Sequence, residues 1–150
     1  MKLLLDTHIF LWYITNDQRL STKLASAISD EKNEVYLSVV SIWEALVKYQ
    51  LGRLNLPSPA DQYLQERQEQ HRIVSLALET AAVAQVLKLP PLHRDPFDRM
   101  LVCQAIHHDL ILAKCARLAE HLVDESSLAV IDVRDDCDVA NFLLCHSQVS

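Results

Sequence analysis

Glycine is almost missing from this chain: 150 residues contain one, Gly52. Phosphate-cradling loops that need glycine are therefore excluded, so there is no Walker A loop, no G-x-G-x-x-G and no G-x-S-x-G elbow. Any phosphate must be met by charged side chains or a metal. An excess of basic residues is missing too: 14 Lys and Arg against 20 Asp and Glu give a formal charge of −6. A protein that tracks nucleic-acid phosphates with its own cations is normally basic. Either nucleic acid is not the ligand, or the acids are gathered where a cation bridges to it. The four cysteines, at 103, 115, 137 and 145, form no C-x-x-C, which argues against a zinc knuckle or a redox pair. No H-E-x-x-H occurs among the seven histidines. No apolar run is long enough to span a bilayer, and Asp6 breaks the apolar start too early for a signal peptide. These absences predict a cytoplasmic protein with reduced thiols and no membrane contact.

What is present is an alternation of short apolar runs with helical patterns. Strands are predicted at 3–5, 35–37, 73–76, 110–112 and 128–131. Helices are predicted at 7–14, 21–30, 39–51, 57–70, 78–87, 96–107 and 117–122, with a last one at 137–145. Gly52 stops the third helix, and Pro90-Pro91 stops the fifth. Such alternation predicts a three-layer α/β/α sandwich around a central, mostly parallel, five-stranded sheet. Neither a repeat nor a linker is visible, so residues 1–150 are expected to form one domain. In folds of this class the site lies beyond the carboxyl ends of the strands.

Carboxylates stand where hydrophobes are expected. Asp6 ends the first strand, where it is either the N-cap of the next helix or a crevice ligand. Glu44 shares a helical face with Val40, Val47 and Leu51 and interrupts their apolar stripe. A buried carboxylate needs a cation nearby, and Lys48, one turn on, can supply it as a structural ion pair. In His93-Arg94-Asp95-Pro96-Phe97-Asp98-Arg99, Pro96 suits the first helical position, which makes Asp95 the natural N-cap. Asp98 precedes Leu101, Val102 and Ala105 on one face and so points inward. Three acids converging at strand ends would make a hard-oxygen site for Mg²⁺ or Mn²⁺, which also bind phosphate oxygens.

These residues resemble the PIN-domain family, in particular its VapC-like ribonuclease toxins. Leu3-Leu4-Leu5-Asp6-Thr7-His8 is similar to that family's first motif, and Ser38-Val39-Val40-Ser41-Ile42-Trp43-Glu44 to its second. His93 to Leu101 is similar to the third motif of one subgroup. The likeness runs from Met1 to about Val133, which leaves 134–150 as a tail. It implies a parallel sheet, Mg²⁺-dependent RNA cleavage, inhibition by a small antitoxin protein and a homodimer. It places Asp6, Glu44 and Asp98 among the metal-binding acids, with Asp95 as an auxiliary. The family often has a fourth acid after the fourth strand, in a segment like Thr-x-Asp. Here that segment is Lys114-Cys115-Ala116, with Lys in the hydroxyl position and Ala in the acidic one. Glu120, a turn later, is either a substitute or a surface charge.

Thr7, Ser38, Arg94 and Arg99 are candidates for substrate contact, with Lys48 and Arg53 as further cations. The alternative is that the cations neutralise the acids or face solvent. Cys103 and His107 read as a buried thiol beside a surface imidazole, and Trp12, Tyr13 and Trp43 as core or dimer contacts. The leading reading is a metal-dependent endoribonuclease of a toxin–antitoxin pair. The alternative is a catalytically weakened PIN-like domain that binds RNA or a protein. A small-molecule phosphohydrolase is a third, disfavoured because Asp6-Thr7-His8 lacks a paired Asp-x-Asp.

Overall fold

The computed structural model describes residues 1–89, 95–114 and the backbone of 130–132. Five strands, β1 (Lys2–Leu5), β2 (Glu34–Ser38), β3 (Val74–Leu76), β4 (Ile111–Lys114) and β5 (Val130–Asp132), form one sheet. Their order is β3-β2-β1-β4-β5, and every pairing is parallel. The helices are α1 (Thr7–Ile14), α2 (Thr22–Ser29), α3 (Val39–Gln50), α4 (Ala60–Gln70), α5 (Thr80–Ala84) and α6 (Pro96–His108).

β1 is central, flanked by β2 and β4, so both of its faces are covered. Leu3, Leu4 and Leu5 are accordingly all fully buried, which is why the strand reads as an unbroken apolar run. Side chains alternate across the sheet. Leu3, Leu5, Val35, Leu37 and Ala113 face one apolar layer, with Ile9 and Phe10 of α1, Leu24 and Ile28 of α2 and Leu64 of α4. Leu4 and Leu112 face the other, with Val40 of α3 and Leu101, Val102 and Ala105 of α6. The result is the α/β/α sandwich expected from the sequence.

The chain builds β1, β2 and β3 outward in one direction, then crosses back to lay β4 on the free side of β1. The strand order thus reverses between β1 and β4. At such a switch point the loops part in opposite directions and leave a crevice at the carboxyl edge. The Asp6 N–H bonds the Ala113 carbonyl at 2.9 Å, which carries the β1–β4 ladder right to that edge.

Several boundaries differ from expectation. α4 begins at Ala60 rather than at 57, because Pro57 and Pro59 bracket an extended entry; Pro59 occupies the N-cap with ψ of 132°. The fifth helix is α5 followed by a 3-10 turn over Gln85–Lys88, not one helix over 78–87. β4 runs two residues past its expected end and takes in Ala113 and Lys114. Apolar content ends at Ala113, so the apolar run stops short of a strand that finishes on a buried lysine. β5 covers Val130–Asp132 rather than 128–131. Leu51 is 62% exposed, so the apolar stripe inferred for α3 ends before it. The helices expected at 117–122 and 137–145 lie outside the described residues.

The lone glycine has a local reason. Gly52 has φ of 69° just past α3; its N–H bonds the Tyr49 carbonyl, and Arg53 N–H bonds the Lys48 carbonyl, the paired bonds of a Schellman cap. No helix among the described residues is long and apolar enough to cross a membrane.

Leu4→Ala should destabilise the protein by about 2–5 kcal/mol in urea unfolding, because Leu4 is sealed between the sheet and α6. A loss below about 1 kcal/mol would show that this layer is loosely packed.

Candidate active site

Asp6 is the first residue after β1, and its side chain is 4% exposed. It occupies the N-cap position of α1 yet makes no capping hydrogen bond. The capping explanation therefore does not account for it. Its nearest ionic neighbour is His8 Nδ1 at 3.7 Å. His8 is half exposed, and the hydrogen bond its imidazole donates to Asp6 is the main influence that raises its pKa; burial opposes this, and Glu44 adds to the rise.

Glu44 lies on α3 with its side chain 5% exposed. Thr7 Oγ1 donates to Oε2 at 2.5 Å, and Lys48 Nζ lies 2.6 Å from Oε1. Thr7 is itself buried at the start of α1. Each carboxylate oxygen thus has a donor, and the Glu44 carboxyl is tied to the segment that carries Asp6. The Lys48 ion pair expected from the sequence is present.

Asp98 lies on α6 with Leu101, Val102 and Ala105 below it, all packed against the sheet. Asp95 caps the helix, accepting from Phe97 N–H at 2.9 Å and Asp98 N–H at 3.3 Å. This is the structural role that Pro96 implied. Burial pushes the Asp98 carboxyl above its ordinary range; Lys114 opposes the shift, while Asp6 and Asp95 reinforce it. Lys114 Nζ lies 3.1 Å from Asp98 Oδ1, and its side chain is 1% exposed.

β1, α3 and α6 therefore present three buried carboxylates along one edge, linked through Thr7, His8 and Lys114. The carboxylates do not form a closed trio. Among the described residues, the group of three whose ligating atoms all lie within 4.8 Å of one another is Glu79, His107 and His108. That group sits at the far end of α6, about 15 Å along the helix from Asp98.

Ser38 accepts from Val40 N–H, capping α3, and donates to Gln104 Oε1; Gln104 Nε2 reaches the Ala77 carbonyl at 3.1 Å. Both partners are fully buried, so this hydroxyl braces α3 against α6. Arg99 is half buried beside Asp98 in sequence, and Arg53 is exposed. Arg94, Ala116 and Glu120 lie outside the described residues. Cys103 is fully buried, and burial pushes its thiol up; His107 is a quarter exposed. Trp12 and Tyr13 pack against the core, whereas Trp43 is 61% exposed and meets Phe97 edge-on at 4.9 Å.

Sequence reasoning places Lys114 after the fourth strand, and its burial and its pairing with Asp98 show only once β4 is extended to include it; the parts played by Gln104 and His8 it does not find. Gln104 lies on the inward face of α6 between Leu101 and Ala105, a polar interruption like that of Glu44. His8 follows Asp6 by two residues, and only the turn into α1 brings its imidazole to the carboxylate.

Donor chemistry decides what such a site can hold. Three carboxylates are hard-oxygen ligands suited to Mg²⁺ or Mn²⁺. Lys48 is one-third exposed and screened by water, so it offsets Glu44 only in part. The edge thus offers hard-oxygen donors, although the ligating atoms of Asp6, Glu44 and Asp98 do not all lie within 4.8 Å of one another.

Asp98 also sets a pH dependence. Its folded pKa is raised, so the native state holds its proton more tightly than the unfolded chain does. Its contribution to stability should therefore rise as pH falls from neutral towards the region just above 3.8. Asp98→Asn should flatten that segment of the profile and cost less at neutral pH than removal of the polar group, since the amide still offers Lys114 an acceptor although no counter-charge. Asp98→Leu should cost about 3–5 kcal/mol, because it leaves the ammonium buried with neither a counter-charge nor an acceptor. Chemical unfolding from pH 4.5 to 8 checks both; an unchanged slope in Asp98→Asn would remove Asp98 as its source.

Comparison with known proteins agrees with this fold. The family model described as PIN domain matches residues 3–116. Ribonuclease VapC22 of Mycobacterium tuberculosis is 31% identical over 119 residues, which is 79% of this chain and 90% of that protein. Among solved structures, VapBC2 of Rickettsia felis bound to a promoter DNA fragment has a TM-score of 0.63 at 14% identity, covering 88% of this chain and 98% of the other. VapBC-1 of nontypeable Haemophilus influenzae has a TM-score of 0.59 at 17% identity, with the same coverage. At such identities the likeness is one of fold. The family match spans most of the chain and all three acid-bearing segments, and on that basis the chain belongs to the PIN domain family.

Proposed function

We propose that this protein is a divalent-metal-dependent endoribonuclease, the toxin of a toxin–antitoxin pair. The observation that carries the reading is Asp6: a buried carboxylate at the topological switch point that caps nothing, with Glu44 and Asp98 on the same edge. The similarity to a ribonuclease of this family supports it.

In this reading Asp6, Glu44 and Asp98 hold Mg²⁺ or Mn²⁺, and Asp95 serves them by fixing the first turn of α6. A divalent ion bound there supplies an activated water and a polarised phosphoryl group. Thr7 keeps Glu44 in one rotamer, so the acid needs no reorganisation when substrate arrives. His8, with its raised affinity for a proton, stands at the mouth where a leaving oxygen must be protonated. Arg99 and Arg94 are the nearby candidates for flanking phosphates. The acidic net charge then needs no separate explanation, because the cation bridges carboxylates to RNA. A cytoplasmic setting, a single domain and a homodimer belong to the same reading.

RNA incubated with the protein should be cut with Mg²⁺ or Mn²⁺ and left intact with EDTA. Asp6→Asn, Glu44→Gln and Asp98→Asn should each lower the rate at least about 100-fold while the fold survives. Cleavage that persists in EDTA overturns the metal assignment.

The partner should be a small antitoxin protein that places an Arg or Lys in the acidic crevice and packs an apolar helix close by. Trp43 and Val39, exposed on α3 next to Glu44, offer an apolar landing for it. Co-purification from the native host should recover a small protein, and added back it should suppress cleavage. Recovery of RNA alone would overturn the toxin assignment and spare the nuclease.

One observation favours a second reading, in which the domain binds RNA without cutting it: the crevice already contains a cation, Lys114 on Asp98. A folded protein that retains RNA in EDTA and never cleaves it would establish that reading.

A further inference from the structure

The far end of α6 carries a second cluster of ligating groups, which the reaction proposed above does not use. α6 finishes on His107 and His108. Asp109 follows with φ of 53°, and this left-handed turn lets the Leu110 N–H bond the Ala105 carbonyl at 2.9 Å. The last turn of the helix, and with it both imidazoles, is thereby held in place. α5 packs against α6, and Glu79 stands at the N-cap position of α5. Glu79 makes no capping hydrogen bond, so its carboxylate is not engaged by its own helix. Glu79, His107 and His108 each offer one ligating atom, and the three atoms lie within 4.8 Å of one another.

An ion pair between Glu79 and His107 explains only part of this arrangement. His107 Nε2 lies 3.5 Å from Glu79 Oε2, beyond the usual length of a hydrogen bond from an imidazole to a carboxylate. It is the spacing of two ligands on one Zn²⁺, because bonds of about 2.0–2.1 Å at tetrahedral angles set ligand atoms about 3.4 Å apart. The pair also leaves out His108. That ring meets His107 edge-on with centroids 4.8 Å apart, and its Nε2 is buried with no hydrogen-bond partner among the described residues. Two imidazolium rings so close would repel, whereas two neutral imidazoles can share one cation. The carboxyl end of a helix also favours positive charge. Two nitrogens and one carboxylate oxygen are donors suited to Zn²⁺, in contrast to the all-oxygen set that suits Mg²⁺.

We propose that Glu79, His107 and His108 bind one Zn²⁺ at the end of α6 remote from the buried carboxylates. The site lies about 15 Å along the helix from Asp98, so the two ends of α6 are filled independently. The three side chains leave the fourth tetrahedral position to water. The ion bridges the start of α5 to the last turn of α6 and closes the stretch of chain between them. Because it binds the folded arrangement alone, it stabilises the protein by mass action. The proposal stands on these three residues and does not depend on the nuclease reading.

The test titrates the intact, untagged chain with ZnCl₂ against a chromophoric chelator, in excess Mg²⁺, and follows thermal unfolding in parallel. The wild type should take up one Zn²⁺ per chain and melt at a higher temperature with it than without. His107→Gln and His108→Gln should each weaken Zn²⁺ binding at least about tenfold, since even the loss of an outer partner of a metal ligand costs roughly 10–100-fold. The rise in melting temperature with Zn²⁺ should disappear with the binding. Glu79→Gln, at an exposed position, should act in the same way. Asp6→Asn should bind Zn²⁺ as the wild type does. A wild type that takes up no Zn²⁺, or binding that survives both histidine substitutions, overturns the proposal. Binding that Asp6→Asn abolishes also overturns it, because the ion then sits in the acidic crevice. If the histidine variants do not fold, Glu79→Gln decides, and an unchanged affinity there overturns the proposal.

Discussion

Three carboxylates held out of water at one edge of a parallel sheet are the constraint on which the rest of this structure depends. An unpaired buried carboxylate is costly and escapes by protonating. Burial pushes the Asp98 carboxyl above its ordinary range in the same sense. The surroundings resist it with separate devices for each acid. Glu44 receives Thr7 and Lys48, Asp98 receives Lys114, and Asp6 has the imidazole of His8 nearby. A fold that only needed rigidity would have filled the edge with hydrophobes, as it does below Asp98 with Leu101, Val102 and Ala105.

The architecture explains why the acids meet there. β1 is sheathed on both faces and cannot carry a polar residue until it ends. Asp6 is the first position at which a carboxylate is admissible. α3 and α6 run back from the same edge, so a carboxylate in the first two turns of either helix is brought to the crevice. The polar brace of Ser38, Gln104 and the Ala77 carbonyl keeps α3 and α6 in register behind the site. Precise placement of the acids thus depends on a hydrogen-bonded strut that touches none of them.

Much of this is legible in the sequence, for reasons specific to each residue. Leu3-Leu4-Leu5-Asp6 carries its message because a doubly covered strand has no alternation to confuse it. Asp95 and Pro96 are equally plain, since cap and first-turn chemistry is local. Glu44 is visible as an acid on an apolar face, although Leu51 turned out to be exposed. Lys114 is harder to read. Its strand loses apolar character at its last residue, and local pattern ends the strand too soon. The brace through Gln104 is also invisible locally, because its partners are 66 and 27 residues away. What periodicity reports is which side of an element is buried; it does not report which polar groups find each other there.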